Sequence, residues 1–306
     1  MKFFPLVFKR SSDAVRNPQH YPTRGRRKLW AYIRQAYRFR RQLLAARKVS
    51  FPDRPGLTVI LTSFKREENL PFIVESVLAL PYVTEVILTN NNPARQVDVA
   101  RFTADPRFRL ISQEQPTACG YRYDLARASN GEIFIVIDDD IFLTPQQVDL
   151  LYSRFLEKPD VPHGVQGQVW ETELESGPPR PFVGEREVDV LNRVYLVNRK
   201  ILNTMYHILG KFGLHNAAEV HNAEDLFVSF SGTGRPRIHD VGKWVDCPTG
   251  YKTDTAIFLN RPNFHAERNL IFNHLQRLRL DPDYSPDISR ELTATVAAVN
   301  RTSFQG

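Results

Sequence analysis

Short apolar runs alternate with amphipathic stretches through the first half of the chain. Four runs rich in β-branched and apolar residues predict strands at Leu57–Thr62, Glu85–Thr89, Phe108–Ser112 and Ile133–Ile137. Helices are predicted between them at Glu67–Leu80 and Thr117–Ser129. Strands that alternate with helices of about 12 residues form parallel sheets with helices on both faces. We therefore expect an α/β fold that binds its ligands outside the carboxyl ends of its strands.

The second half of the chain has a mixed pattern. Helices are predicted at Gln146–Glu157, Asn198–Gly210, Asn222–Gly232 and Phe264–Leu280. Residues 158–184 contain several glycines and prolines and interrupt this order. The sequence has no internal repeat and no low-complexity tract.

The positive charge of the chain is concentrated near its N-terminus. The 306 residues carry a net charge of +7, yet residues 14–52 contain eleven arginines and lysines and no acidic residue. Two prolines and a glycine in Phe51–Gly56 then end the basic stretch. We therefore divide the chain into a basic, partly helical arm at 1–55, a main domain at 56–285 and a tail at 286–306.

The basic arm interleaves its arginines with apolar residues at helical spacing. Trp30, Ile33, Tyr37 and Leu44 would lie on one side of a helix. Either this side packs on the main domain, or residues 24–48 contact an anionic membrane surface. No nucleic acid-binding motif accompanies the arm, so nucleic acid is not expected as a partner.

The composition is that of a folded protein, with 42% hydrophobic and 25% charged residues. No apolar run approaches the roughly 18 residues that cross a bilayer, and Met1–Arg10 lacks the pattern of a signal peptide. Cys119 and Cys247 are too few for a disulfide framework or a closed zinc site. The expected location is the cytoplasm, with peripheral membrane contact through the arm as an addition.

Polar clusters follow three of the predicted strands, at Thr62–Arg66, Asn90–Asn92 and Asp138–Asp140. In an extended segment, Asp138 and Asp140 point to one side and Asp139 to the other. Two carboxylates on one side can hold Mg²⁺ or Mn²⁺ together with substrate phosphates. The alternative is an acidic turn before the helix that begins near Thr144–Pro145. The position at the end of a parallel strand favours the metal–phosphate site.

Several familiar sites do not occur in the sequence. It has no GxGxxG after a strand and no GxxxxGK[ST], which argues against a dinucleotide site and a P-loop. It also has no HExxH. The spacing typical of a zinc site is also missing from His215, His221, His239 and His265.

Five segments together resemble the catalytic domain of exostosin-type glycosyltransferases, glycosyltransferase family 64. They are Leu61–Arg66, Glu85–Asn92, Ile135–Asp140 preceded by Arg122, His221–Leu226 and Phe264–Arg268. The resemblance covers roughly residues 57–280 and leaves out the arm. It implies a GT-A fold, with a nucleotide-binding parallel sheet and an acceptor-binding half. It also implies a retaining, Mn²⁺-dependent (or Mg²⁺-dependent) transfer from a UDP-N-acetylhexosamine.

The resemblance implies a pocket for uridine and ribose at the ends of the first two strands. Thr62, Ser63 and Arg66 would line this pocket, and Asn91 would lie nearby. The alternative for Arg66 is a solvent-exposed charge at the start of the following helix. The two interpretations differ in whether the guanidinium group faces the donor or the solvent.

The resemblance also implies which residues bind the diphosphate and the sugar. Asp140 would be the direct metal ligand, with Asp138 as the second carboxylate on the same side. Asp138 and Asp139 would contact ribose or sugar hydroxyls, and Arg122 would contact the donor sugar or the diphosphate. The alternative for Arg122 is an ion pair with Asp124 on the same helix.

A second group of implied catalytic residues lies in the C-terminal half. Arg268 would fold over the pyrophosphate near His265, or would face solvent as its neighbour on the helix. Asp225 or Glu224 would support the reacting sugar, or would take the acceptor proton if the reaction inverts. Asn222 would instead cap the helix if the segment is only a capping box.

The sequence therefore predicts a metal-dependent glycosyltransferase that moves a sugar from a UDP-sugar to a glycan or other hydroxyl acceptor, with retention. The alternative is an inverting, family 2-like glycosyltransferase with Asp225 as general base. Further alternatives are a sugar nucleotidyltransferase, whose usual Gly-rich N-terminal signature does not occur here, and a non-catalytic scaffold. Acceptor identity is expected to depend on residues 158–190, which are least similar to the family.

Overall fold

The computed structural model describes residues 37–45, 49–98, 104–170, 181–251, 256–261, 264–286 and 288. Within these ranges the strands are β1 Leu57–Ser63, β2 Val83–Asn90, β3 Phe108–Ser112, β4 Ile133–Ile137, β5 Ile141–Phe142, β6 His163–Gly164, β7 Gln166–Gln168, β8 Pro181–Val183, β9 Arg186–Glu187, β10 Val190–Asn192, β11 Val194–Asn198, β12 Arg237–Ile238 and β13 Val245–Asp246. The α-helices are α1 Leu70–Leu78, α2 Tyr121–Ala128, α3 Pro145–Glu157, α4 Arg199–Lys211, α5 Glu224–Ser229, α6 Ile257–Asn260 and α7 Phe264–Leu280. Residues 37–45 are also helical.

An eight-stranded sheet forms the centre of the structure, in the order β3-β2-β1-β4-β11-β6-β12-β9. Strands β3, β2, β1 and β4 are parallel, and β11 runs antiparallel to β4. Nearly every residue of β1 and β4 is buried, which explains their continuous apolar sequences. Smaller sheets are formed by β10-β7-β8 and by β13-β5. This mostly parallel α/β sheet confirms the predicted fold class.

Several predicted elements begin and end where the structure has them, including β3, β4 and α7. The main differences are at the starts of two helices. Helix α1 begins at Leu70 rather than Glu67, and α2 begins at Tyr121 rather than Thr117. A tight turn precedes each helix, since Asn69 N donates to the carbonyl oxygen of Arg66 and Tyr121 N to that of Ala118. These turns replace the first helical turn that the sequence pattern predicts.

Helix α3, which follows the triple aspartate, has its own cap. The Thr144 hydroxyl accepts a hydrogen bond from Gln147 N, and the Gln147 side chain accepts one from Thr144 N. This is a complete capping box, with Pro145 in the first helical turn. The preceding aspartates are therefore not needed to cap this helix.

The described part of the basic arm packs against the main domain. Phe39 and Leu43 are buried, and the Phe39 ring lies 5.5 Å from the ring of Phe142. Tyr37 and Leu44, on the predicted apolar side, are 50% and 45% exposed, so that side is not the one buried against the main domain. Helical spacing determines which residues share a side, but the surface that the helix meets decides which side is buried.

Most of the arm, including Trp30 and Ile33, lies outside the described residues. Its contact with a membrane surface stays a prediction. No helix in the described ranges has both the length and the apolar character that crossing a membrane requires.

Gly120, just before α2, allows that helix to approach the turn after α4. A Cβ at Gly120 would lie 1.9 Å from the backbone oxygen of Ala217. We expect Gly120→Ala to lower the free energy of unfolding by about 1–3 kcal/mol, because the backbone must move to make room. Gly210→Ala is the matched control, since a Cβ there would meet nothing within 4 Å.

The control should raise the stability by about 0.5–1 kcal/mol, because alanine favours a helix over glycine. Urea unfolding followed by circular dichroism measures both changes. Equal effects of the two substitutions would contradict the close contact at Gly120.

Candidate active site

The carboxyl ends of β1, β2 and β4 lie side by side at one edge of the sheet. Ser63 at the end of β1 is paired with Asn90 at the end of β2. Leu61 of β1 is paired with Ile137, the last residue of β4. The three polar clusters that follow these strands are therefore neighbours, as expected for a parallel sheet that binds ligands at this edge.

Each carboxylate of the triple aspartate is paired with an arginine. The pairs are Arg122 with Asp138, Arg66 with Asp139 at 2.6 Å and Arg193 with Asp140 at 2.8 Å. The prediction of an extended segment is wrong, because Asp139 and Asp140 form a turn. The two residues also share Arg66, whose Nη1 lies 3.5 Å from Asp140. Adjacent buried carboxylates repel unless cations lie between them, and the arginines supply that charge.

The three carboxylates differ in their access to solvent. The side chain of Asp138 is 29% exposed, whereas those of Asp139 and Asp140 are 7% and 14% exposed. The interpretation of Arg66 as a solvent-exposed charge is also wrong, since its side chain is 13% exposed and paired. Asp138 therefore offers the most accessible carboxylate to a ligand.

Arg193 is the residue between β10 and β11, and it holds Asp140 from the side. Its Nε donates to Asp140 Oδ1 at 3.0 Å, and its Nη2 donates to the backbone oxygen of Asp140 at 2.6 Å. Its Nη1 donates to Asp246 at 3.1 Å. Among the described residues other than glycine, only Arg193 has a positive φ, 67°. That conformation costs about 1–2 kcal/mol, so tertiary contacts must maintain it.

Arg122 connects the triple aspartate to a second group of carboxylates. Its Nη1 donates to Asp138, and its Nη2 donates to Glu224 Oε1 at 2.9 Å. The side chain is only 4% exposed. Its guanidinium carbon lies 5.5 Å from the ring centre of Tyr123 and 4.9 Å from that of Tyr195.

Asp124 is not the partner of Arg122, so this alternative is wrong. Residues two positions apart on a helix do not face each other. Asp124 instead accepts hydrogen bonds from the backbone N–H groups of Ala217 and Ala218, both at 2.9 Å, and from the hydroxyl of Tyr206. It anchors the turn that precedes α5.

Arg268 of α7 and Asp225 of α5 form a bidentate pair with N–O distances of 2.6 and 2.7 Å. Both residues are buried, so the solvent-facing interpretation of Arg268 is wrong. Arg268 Nη1 also donates to the backbone oxygen of Asn222 at 2.7 Å. Asn222 is not the helix cap, because the cap residue is Ala223 and the Asn222 amide donates to Glu267.

Two residues predicted to line the uridine pocket have buried side chains. Ser63 and Asn91 are each 1% exposed. Asn91 Oδ1 accepts a hydrogen bond from Thr89 Oγ1 at 2.7 Å, and its Nδ2 donates to the backbone oxygen of Ala118 at 3.1 Å. The Asn91 side chain therefore fixes the end of β2 against the segment before α2.

The other two predicted donor-binding residues differ in exposure. Thr62 is half-buried, and its hydroxyl has no hydrogen-bond partner within the described part of the chain. His265 is exposed, and it lies one helical turn before Arg268. The hydroxyl oxygen of Thr62 is buried, whereas the side chain of His265 faces solvent.

The segment after β13 covers the triple aspartate, and sequence analysis did not identify it. Arg66 Nε donates to the backbone oxygen of Thr249 at 3.2 Å, and Asn69 Nδ2 donates to Thr249 Oγ1 at 3.2 Å. A Cβ at Gly250 would lie 2.7 Å from Asp140 Oδ2. These residues come from distant parts of the chain, so no local motif relates them to the aspartates.

Charge counting shows an excess of negative charge in this cluster. Its described carboxylates are those of Asp138, Asp139, Asp140, Glu224, Asp225 and Asp246. Its arginines are Arg66, Arg122, Arg193 and Arg268. Six carboxylates against four guanidinium groups leave two negative charges when all groups are ionised. A bound nucleoside diphosphate would add further negative charge to this cluster.

Carboxylate oxygens are the ligands that Mg²⁺ and Mn²⁺ prefer, so Asp138 and Asp140 fit such an ion by chemistry. In the described ranges, no three His, Cys, Asp or Glu residues are grouped around a metal position. Two carboxylates would need substrate phosphates to complete the coordination. This combination of one or two carboxylates with phosphates is the common arrangement for Mg²⁺.

Burial and neighbouring charges shift the pKa values of Asp140 and Glu224 in opposite directions. Burial alone would raise the pKa of Asp140, but Arg193 and Arg66 outweigh it and the pKa is lowered. Burial raises the pKa of Glu224 above its ordinary value of 4.5, against the opposing effect of Arg122. Asp140 is therefore held as an anion, whereas Glu224 accepts a proton more readily than an exposed glutamate.

The part of the chain that forms this sheet edge is similar to a known protein family. Residues 58–206, just under half of the chain, match the family model described as glycosyl transferase family 2. This segment is similar to glycosyltransferase family 2 domains. It contains β1 to β11, including the triple aspartate, Arg122 and Arg193, while Glu224 and Asp225 follow it. At the level of the domain, the predicted glycosyltransferase is confirmed; the matched model is family 2, not the exostosin family.

Solved structures of TarS from S. aureus have distant similarity to this chain. TarS 1–349 is 13% identical with a TM-score of 0.44, over 72% of this chain and 71% of that one. Its complex with UDP is 13% identical with a TM-score of 0.41, over 62% and 59% of the two chains. Its complex with UDP-GlcNAc has the same identity and TM-score over 62% and 57%. This chain thus spans under two thirds of the TarS chain in either complex, and no curated protein matches it in sequence.

Proposed function

We propose that this chain transfers a sugar from a UDP-sugar to a hydroxyl group of a glycan or another acceptor. One observation carries the proposal: Arg122 joins the aspartate turn of the family 2 domain to the Glu224–Asp225 pair. Sugar transfer needs charge stabilisation at the leaving diphosphate and a group that takes the acceptor proton. The aspartate turn on one side of Arg122 can hold a cation that stabilises the diphosphate, and Glu224 on the other side can take the proton.

The donor would bind at the ends of β1, β2 and β4. Uridine and ribose would lie beside Thr62 and Arg66, with Ser63 and Asn91 shaping the pocket from below. The ribose or sugar hydroxyls would donate hydrogen bonds to Asp139 or Asp138. The exposure of Asp138 supports this placement.

A divalent ion, Mn²⁺ or Mg²⁺, would be held by Asp138 and Asp140 together with the phosphates of the donor. When bound, such an ion neutralises the charge that develops on the leaving UDP. The excess negative charge of the cluster supports this part of the proposal. Arg122 and Arg268 would supply further positive charge near the diphosphate, with His265 at the rim.

The match to family 2 favours the inverting alternative over retention. The acceptor oxygen would bond to the anomeric carbon while the bond from that carbon to the UDP oxygen breaks. Both oxygens of Asp225 already accept hydrogen bonds from Arg268. We therefore assign the acceptor proton to Glu224, and assign Asp225 and Arg268 to positioning the start of α5. The configuration of the product, read from its anomeric proton coupling, distinguishes inversion from the retention implied by the exostosin resemblance.

Residues 158–190 are proposed to contribute to acceptor recognition. In their described part they form β6 and β9, which lie in the central sheet beyond β11 from the donor strands, and β7, β8 and the start of β10, which form a separate small sheet. Residues 171–180 lie outside the described ranges. Exchange of this region for that of a related domain would test whether acceptor preference follows it.

Release of UDP tests the proposed function. We expect the protein to release UDP from UDP-N-acetylglucosamine or another UDP-sugar when Mn²⁺ is present. Asp138→Asn should reduce the rate at least about 100-fold, because an amide is a poor ligand for the cation and carries no charge. Asp240→Asn is the matched control, since Asp240 is exposed and its Oδ1 accepts a hydrogen bond from Gly242 N at 2.9 Å.

Two outcomes of the same experiment would contradict the proposal. Pyrophosphate formed from UTP and a sugar phosphate would indicate a nucleotidyltransferase. Failure to bind any nucleotide, measured by thermal shift with metal present, would leave only a non-catalytic scaffold.

A further inference from the structure

Arg193 contacts one of the two carboxylate oxygens of Asp140 through two nitrogens. Asp140 Oδ1 lies 3.0 Å from Arg193 Nε and 2.8 Å from its Nη2. The other oxygen, Oδ2, lies 3.5 Å from Arg66 Nη1 and beneath Gly250, where an added Cβ would approach it to 2.7 Å. Both oxygens of Asp140 therefore face groups of this chain.

The position of Arg193 is determined by its backbone as well as by its side chain. Its carbonyl oxygen accepts a hydrogen bond from Asp138 N at 2.8 Å, and its N–H donates to the hydroxyl of Tyr195 at 3.1 Å. Its positive φ turns the residue at the junction of two strands. Asp246 holds its Nη1, and the side chain is 15% exposed. Hydrogen bonds of both its backbone and its side chain therefore fix Arg193 within the site.

A divalent ion at Asp140 would compete with Arg193, because Arg193 holds Oδ1 through two nitrogens and Arg66 and Gly250 crowd Oδ2. A Mg²⁺–oxygen bond is about 2.1 Å long and uses a lone pair that otherwise accepts a hydrogen bond from a guanidinium N–H. The ion would also lie next to a positive guanidinium group in a half-buried site, where screening by solvent is weak. Metal binding to Asp140 therefore requires that the Arg193 pair be broken or strongly weakened.

We propose that Arg193 competes with divalent cations for Asp140. This inference rests on the proposed function, because it takes the aspartate turn to be the cation site. In the protein without donor, Arg193 is the counter-cation of Asp140 and keeps the affinity for metal low. A donor diphosphate adds negative charge that can receive the released guanidinium, so metal and donor bind better together than separately.

Arg193→Gly tests the inference by direct titration with MnCl₂ alone. Glycine tolerates a φ of 67°, so this variant removes the side chain without adding backbone strain. We expect it to bind Mn²⁺ at least ten-fold more tightly than the unmodified chain, measured by calorimetry or by the electron paramagnetic resonance of free Mn²⁺. Thermal unfolding of the same samples shows that the variant is folded.

Two matched variants separate competition from a general change in charge. Arg237→Gln also removes one positive charge, but from an exposed pair with Glu187 at 3.7 Å, and should leave Mn²⁺ affinity unchanged. Adding Asp140→Asn to Arg193→Gly should abolish the gain. The inference is overturned if Arg193→Gly binds Mn²⁺ no more tightly, or if the gain survives Asp140→Asn.

The titration needs neither donor nor acceptor, so its result is independent of the transferase assay. Tighter Mn²⁺ binding without any UDP release would support the competition and contradict the proposed function. UDP release by the unmodified chain, with unchanged Mn²⁺ affinity in Arg193→Gly, would support the proposed function and contradict the competition.

Discussion

Replacing Glu224 by glutamine is expected to lower kcat for sugar transfer by about 10²–10⁴-fold, with little change in KM for the UDP-sugar. Glutamine has nearly the same size and can still accept the hydrogen bond from Arg122. It cannot take the proton of the acceptor hydroxyl, so only the rate of the chemical step should fall. Initial rates of UDP release measure the effect, and thermal unfolding verifies that the variant is folded.

Asp225→Asn is the matched comparison, and the pH profile decides between the two carboxylates. Burial raises the pKa of Glu224, so a base at this position loses activity as the pH falls through a value above 4.5. Glu224→Gln should lose this acidic limb of kcat/KM, whereas Asp225→Asn should keep it. The reverse result would make Asp225 the base and our assignment wrong.

Arg122→Met is expected to destabilise the fold by about 3–5 kcal/mol, the largest stability effect that we predict for a single substitution. The side chain is 4% exposed, and its removal leaves Asp138 and Glu224 without their shared cation. Buried carboxylates that lose their counter-charge are costly to keep ionised. Urea unfolding at neutral pH measures the change.

The same substitution at an exposed ion pair provides the control. Arg109 pairs with Glu85 at 3.0 Å, with side chains 52% and 31% exposed. Arg109→Met should cost about 0–1 kcal/mol, because solvent screens this pair. Adding Glu224→Gln to Arg122→Met should recover part of the loss, since it removes one uncompensated charge. Equal unfolding midpoints for Arg122→Met and Arg109→Met would refute the bridging role of Arg122.

The sequence alone determined the four parallel strands β1 to β4 and the edge at which the candidate site lies, but not the other four strands of the central sheet. Runs such as Ile133–Ile137 are apolar throughout because parallel strands are buried on both faces, and this signal is local. The polar clusters after three of these strands then had to be neighbours, because parallel strands end at the same edge. The triple aspartate could be placed in this way, as could Arg66.

Only the tertiary structure decided how the charges of the site are paired. Arg122 pairs with Glu224, and Arg268 with Asp225, across separations of 102 and 43 residues. Periodicity reports which residues share a face of one element, not which elements meet, so it favoured local partners for these arginines. The sequence did not signal the backbone conformation of Arg193 either, since glycine or asparagine is the residue that normally indicates a positive φ. Its conformation exists because Asp140, Asp246 and the two strands that flank it hold the residue in place.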